Sequence, residues 1–174
     1  MSIIATFNEE QLKLLDQFIE EIMKAKILGE IQKLMFDRPH FARFLKANDF
    51  SPQKALAHFK EYLDWRQSSK IDNLMELEFN QFDKIKEFFP NGFHSVDKEG
   101  RPIFILQCGA TKIKELLEVA SADTLIRYML KEVEDTWRCK FGECRDILKK
   151  PGVDSIIMIV DLNGAKLKDL SNKQ

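Results

Sequence analysis

Apolar residues recur at three- and four-residue intervals through the first part of the chain and gather into short solid runs later. From Asn8 to about Met35, "NEEQLKLLDQFIEEIMKAKILGEIQKLM" places Leu12, Leu15, Ile19 and Ile22, then Ile27, Ile31 and Leu34, at helical spacing. Glu9 and Glu10 fall in the first turn, where the helix dipole favours negative charge. Gly29 interrupts the run, which reads as one helix or as two. Asp37 and Pro39 then open a short helix carrying Phe41, Phe44 and Leu45. "NDFSP" breaks it, and Ser51 caps another helix with Pro52 at its first position and Leu56, Phe59 and Leu63 along one face as far as Trp65. Amphipathic helices this short and closely spaced pack on each other as a helical subdomain.

The pattern changes at "HSVDKEGRPIFILQCG" (His94–Gly109). "DKEG" supplies a polar turn with a permissive glycine, and "PIFILQC" is nearly all apolar, as a strand covered on both faces should be. Pro102 has no N–H for a ladder, so it belongs at the start or edge of that strand. A helical run begins near Thr111. Ser121 caps a long helix through "SADTLIRYMLKEVEDTWRCKFGECRDILKK", with Leu125, Met129, Val133 and Trp137 in line, and Pro151 and Gly152 end it. "VDSIIMIVDLNG" is a second apolar strand. Hairpin, long helix and strand make a βαβ unit with parallel strands and a right-handed crossover, so the predicted class is α/β.

Composition narrows the function. The 27 basic and 28 acidic residues leave a net charge of -1, which offers no excess of cations for nucleic acid. The longest apolar run, "SIIMIV", is far below the roughly 20 residues of a membrane helix. The N-terminus has neither the basic start nor the apolar core of a secretory signal, and no Gly at position 2 for a myristoyl chain. The expected compartment is therefore the cytoplasm. Cys108, Cys139 and Cys144 read as reduced thiols, and His40, His58 and His94 are too scattered to complete a zinc site with them. No nucleophile elbow, phosphate loop or dinucleotide fingerprint is present, and the carboxylates fall on solvated helix faces. The expectation is a protein that is not an enzyme and uses no cofactor.

Three stretches in order, over residues 37 to 167, resemble the CRAL-TRIO family. "RFLKANDFSPQKALAHFKEYLDWR" is similar to that family's N-terminal helical motif. "FFPNGFHSVDKEGRPIFILQCGATKI" resembles its F-x-P…H-x-x-D-x-x-G-R-P segment, and "IIMIVDLNGAKL" its strand ending in D-x-x-G. The resemblance implies a helical subdomain over 1–78 and a lipid-binding domain over 79–174. It also implies a soluble carrier that encloses one hydrophobic lipid and touches membrane surfaces transiently to exchange it. Phe104, Leu106, Met129, Val133, Ile156 and Met158 are then the expected pocket lining, since apolar strands and an apolar helix face suit an acyl chain; packing of an ordinary core requires the same residue types.

Three departures from the family's pattern qualify what the resemblance implies. Asn48 and Asp49 stand where phosphatidylinositol-binding members carry an Arg-Lys pair. Val133, Ile156 and Met158 stand where phosphatidylcholine-binding members carry hydroxyls, and Phe104 where a Tyr is common. These changes point to a less polar ligand. The family's domain also extends well beyond the D-x-x-G strand, whereas this sequence ends at Gln174. The expectation is thus an incomplete CRAL-TRIO domain that is marginally stable, prone to aggregate, or completed by a protein partner covering its open sheet. The alternatives are an interaction module of that kind without lipid, or a fragment with no activity of its own.

Overall fold

Asn8 starts the first helix with a reciprocal pair of bonds: its Oδ1 accepts from the Gln11 N–H at 2.9 Å, and its own N–H donates to Gln11 Oε1 at 3.0 Å. The helix, α1 (Glu9–Ala25), buries Leu15, Phe18 and Ile22. Lys26 ends it in the left-handed region (φ 51°). The periodic run to Met35 is therefore two helices, with α2 at Glu30–Met35. The break also shifts the phase of the pattern. Leu28 and Phe36 are buried, while Ile31 and Leu34, expected on the apolar stripe, are 45% and 90% exposed.

The structure, a computed structural model, describes residues 2–77, 81–142 and 153–165. The chain divides into two units, Met1–Met75 and Glu76–Gln174. In the first, α3 (Arg38–Ala47) is capped by Asp37, whose Oδ1 accepts from the His40 N–H at 3.1 Å, and α4 (Pro52–Ser68) is capped by Ser51. Leu15, Phe18, Ile22, Phe41, Leu45 and Phe59 form its core. Phe18 meets Phe41 at 6.2 Å and Phe59 at 6.3 Å, both edge to face, the arrangement ring quadrupoles prefer.

Arg66, at 1% exposure, is the most demanding residue of this unit. Its Nε and Nη2 donate to Asp72 Oδ1 at 2.9 and 2.5 Å, and its Nη1 donates to the Tyr62 hydroxyl at 2.9 Å. Asp72, on a short 3-10 turn over Ile71–Glu76, also accepts from Gln32 Nε2 at 2.9 Å. A buried guanidinium is tolerable only with such a set of acceptors around it.

The second unit begins with α5 (Phe82–Phe88) and the hairpin of β1 (Asn91–Val96) and β2 (Pro102–Gln107). Asp97 builds the turn: its Oδ1 accepts from the Glu99 and Arg101 N–H groups at 2.9 and 2.8 Å, and its Oδ2 from Arg101 Nε at 2.7 Å. Gly100 supplies the positive φ of 89°. Next come α6 (Ile113–Val119) and α7 (Ala122–Asp135), the latter capped by Ser121. β3 (Ile157–Asp161) closes the described part of the sheet.

The sheet order is β1-β2-β3, with β1 antiparallel and β3 parallel to β2. The α/β class, the N-terminal helical part, the hairpin and the parallel strand are all as the sequence predicts. Two details differ. The strand expected from Val153 begins only at Ile157, and the long helix widens at Thr136–Lys140 into a π turn. There the Phe141 N–H reaches back to the Thr136 carbonyl, while the Thr136 hydroxyl donates to the Glu132 carbonyl at 2.8 Å and loosens the regular ladder. The predicted continuation over 143–150, Cys144 and the Pro151–Gly152 stop lie outside the described residues.

His40 makes the helical unit sensitive to acid. Its ring stacks on Phe36 at 4.4 Å. Burial, reinforced by the Arg43 and Arg66 cations, pushes its pKa from 6.5 down to about 3. The unfolded chain therefore binds a proton below pH 6.5 that the folded chain refuses. His40's contribution is fully present above that pH and is lost progressively as the pH falls towards 3. Urea unfolding should show a loss of about 2 kcal/mol between pH 6.5 and 5 attributable to this ring. His40→Phe should remove that part of the pH dependence; an unchanged pH slope in the variant would refute the assignment.

Candidate functional site

Helix α7 carries two faces. Tyr128, at 1% exposure, anchors the inner one in a cluster with Ile85 of α5 and Leu116 and Ala120 of the α6 segment. Its hydroxyl donates to Asn91 Oδ1 at 3.4 Å, tying α7 to β1. Burial, with the Glu132 carboxylate adding to it, pushes the Tyr128 pKa up to about 12, so the hydroxyl keeps its proton.

The other face borders an open groove of about 350 Å³. Leu125, Ile126, Met129, Leu130 and Val133 of α7 form its length, and Phe89 and Leu116 close it. Ile126, Met129, Leu130 and Val133 follow the i, i+3, i+4, i+7 spacing that aligns side chains along one stripe. Ile126 is 59% and Val133 49% exposed, so the groove presents apolar surface to solvent.

The six residues expected to line a pocket fall into three places. Met129 and Val133 lie side by side in the groove. Phe104, Leu106 and Met158 share one face of the sheet, because Phe104 pairs with Met158 across β2 and β3 and Leu106 lies two residues on. Phe104 is buried there, its ring 5.1 Å from Phe93, whereas Met158 is 54% exposed. Ile156 precedes β3 and packs with Phe141, Val153 and Trp137. Among the described residues the groove draws no lining from the sheet. Phe89, Leu116, Leu125, Ile126 and Leu130 also line the groove and are not among those six. The helical spacing of Ile126 and Leu130 with Met129 was a usable signal; Phe89 and Leu116 arrive by tertiary packing alone.

A second depression, of about 590 Å³, lies in the helical unit, with Ile27, Lys60, Leu63 and Lys70 around it and the Arg66–Asp72 pair in its lining. That pair's bonds are spent on each other, on Gln32 and on Tyr62. Among the described residues no group of three His, Cys, Asp or Glu side chains is placed to hold a metal ion, and no helix is long and apolar enough to cross a membrane.

The ends of β2 and β3 meet closely. Gly109, just after β2, lies against the Asn163–Gly164 turn, where a Cβ would fall 2.0 Å from the Asn163 carbonyl oxygen and 2.9 Å from the Ala165 nitrogen. Gly164 has φ +93°, and the Ala165 N–H donates to the Leu162 carbonyl at 2.9 Å. Both glycines are thus required by backbone geometry rather than by a ligand.

Residues 86–174 match the CRAL/TRIO domain, and the chain belongs to that family. It is 33% identical over 165 residues to the phosphatidylinositol/phosphatidylcholine transfer protein SFH12 of Arabidopsis thaliana, covering 94% of this chain and 30% of that protein. With SFH11 of the same plant it shares 30% identity over 166 residues, 94% of this chain and 44% of the relative. With the protein real-time of Anopheles gambiae it shares 35% over 128 residues, 74% of this chain and 18% of the relative. The chain therefore spans less than half the length of these relatives.

Gly109→Ala should destabilise the second unit by about 1–3 kcal/mol, since the clash is with backbone that cannot swing aside. Gly92→Ala, where a Cβ meets nothing within 4 Å, is the matched control. Thermal melts of the two variants that coincide would refute the close-approach argument.

Proposed function

We propose that this chain binds a hydrophobic lipid and carries it between membranes in the cytoplasm, touching the bilayer surface transiently and making or breaking no covalent bond. The observation that carries the reading is the α7 groove, whose lining side chains are hydrocarbon apart from the Met129 thioether. Membership of the CRAL/TRIO family and the names of the plant relatives agree with it. Solvent extraction of the purified chain followed by mass spectrometry should recover lipid. Val133→Trp, which fills the groove from an exposed position, should reduce the amount at least fivefold. Folded protein that yields no lipid would sink the reading.

A second reading is favoured by β3. Met158, Ile159 and Val160 are 54%, 47% and 46% exposed, on both faces of a strand whose outer edge is unpaired among the described residues. An apolar edge of this kind is a template for another strand. A protein partner pairing there would make the second unit a docking module. Light scattering during size exclusion should then show a species heavier than one chain, and Ile159→Lys should return it to a monomer. A monomer before substitution excludes self-pairing, and failure of Ile159→Lys to release a co-purified protein excludes pairing with another chain.

A further inference from the structure

We infer that the α7 groove selects an uncharged lipid, held by its hydrocarbon portion, over one carrying a phosphodiester headgroup; this rests on the lipid-carrier reading above. Among the described residues the lining contributes no hydroxyl, amide or charged side chain: Phe89, Leu116, Leu125, Ile126, Met129, Leu130 and Val133 offer only carbon and one thioether sulfur. The polar side chains of the same helix lie on other faces and are already engaged. Arg127 donates to Asp123 at 3.0 Å, Tyr128 to Asn91 at 3.4 Å, and Lys131 to the Leu77 carbonyl. Thr136 donates to the Glu132 carbonyl at 2.8 Å, and Arg138 pairs with Glu134 at 3.0 Å. The Glu132 carboxyl lies among the charges of Lys86, Lys131, Lys140 and Asp135.

The spacing separates these groups from the groove. Residues 127, 131 and 134 follow i, i+4, i+7 within α7 and so form their own stripe, offset by about 100° from the stripe begun by Ile126. A phosphate drawn into the groove would shed water and find no side-chain donor among the described lining residues. The Arg127 and Arg138 cations could turn towards it only by breaking their pairs with Asp123 and with the buried Glu134 carboxylate. A hydrocarbon loses nothing by the same transfer and gains from leaving water. At about 350 Å³ the groove is also at the small end of the roughly 300–1,000 Å³ range of ligand pockets.

Oleyl alcohol and dioleoylphosphatidylcholine share the oleyl hydrocarbon tail, one copy in the alcohol and two in the phospholipid, and differ in the headgroup. The full chain is incubated with vesicles holding both in equal amounts, re-isolated, and its bound lipids are quantified by mass spectrometry. The expected result is at least a tenfold molar excess of oleyl alcohol, falling at least fivefold in Val133→Trp and in Ile126→Trp, with the helical circular dichroism of each variant unchanged. Phosphatidylcholine bound equally or in excess, and lost in the same variants, overturns the selectivity and leaves the carrier reading standing. Oleyl alcohol bound equally by wild type and both variants overturns the placement in this groove. Neither lipid bound by folded protein overturns both the inference and the reading beneath it.

Discussion

The second unit is organised by the parallel pairing of β2 with β3, in register from Ile103 opposite Ile157 to Gln107 opposite Asp161. Two parallel strands cannot be joined by a tight turn, so the chain must travel back along the sheet before it can pair. Helix α7 belongs to that return. Having to return, it needs something to pack on, and the α5 and α6 segments supply it through Ile85, Leu116 and Ala120 around Tyr128. The groove is the part of α7 that this packing leaves uncovered. At the far end of the strands the pairing is held by Gly109 against the Asn163–Gly164 turn, a contact of backbone on backbone that only a glycine permits.

The helical unit answers a different constraint, the cost of an ion in a core. Arg66 is acceptable because Asp72, Tyr62 and the amide of Gln32 form a connected set around it. The set draws on α2, α4 and the 3-10 turn, so it specifies how those elements meet as well as neutralising the charge. His40 adds a second buried polar ring, kept neutral among aromatic neighbours. Stability here is bound up with polar specificity, and each such group narrows the conditions under which the unit is at its best.

Local signals made much of this legible. Caps at Asn8, Asp37, Ser51 and Ser121 begin helices where the sequence places them, and the Asp97–Gly100 turn joins the predicted hairpin. The pattern failed where phase was broken by a residue with no obvious mark. Lys26 adopts a conformation usually left to glycine, and Ile31 and Leu34 turn outward as a result. The candidate site was harder. Met129 and Val133 sit together because they share a helix face, which periodicity reports. Phe104, Leu106 and Met158 share a sheet face, which depends on the β2–β3 register and cannot be read from either strand alone. Phe89 and Leu116 reach the groove only through the packing of separate helices, and no spacing rule foretells that.

The π turn at Thr136–Lys140 has a further consequence. One extra residue within a turn rotates everything beyond it by about 100° relative to a regular helix. It thus sets the groove-facing stripe of α7 apart from Trp137 and Phe141, which pack with Val153 and Ile156 at the approach to β3. Within one continuous segment, the residues that would meet a ligand and the residues that hold the strand are placed in different phases. A side chain exchanged along the groove stripe is therefore not one of those that seat the approach to β3, because the two sets share no residue.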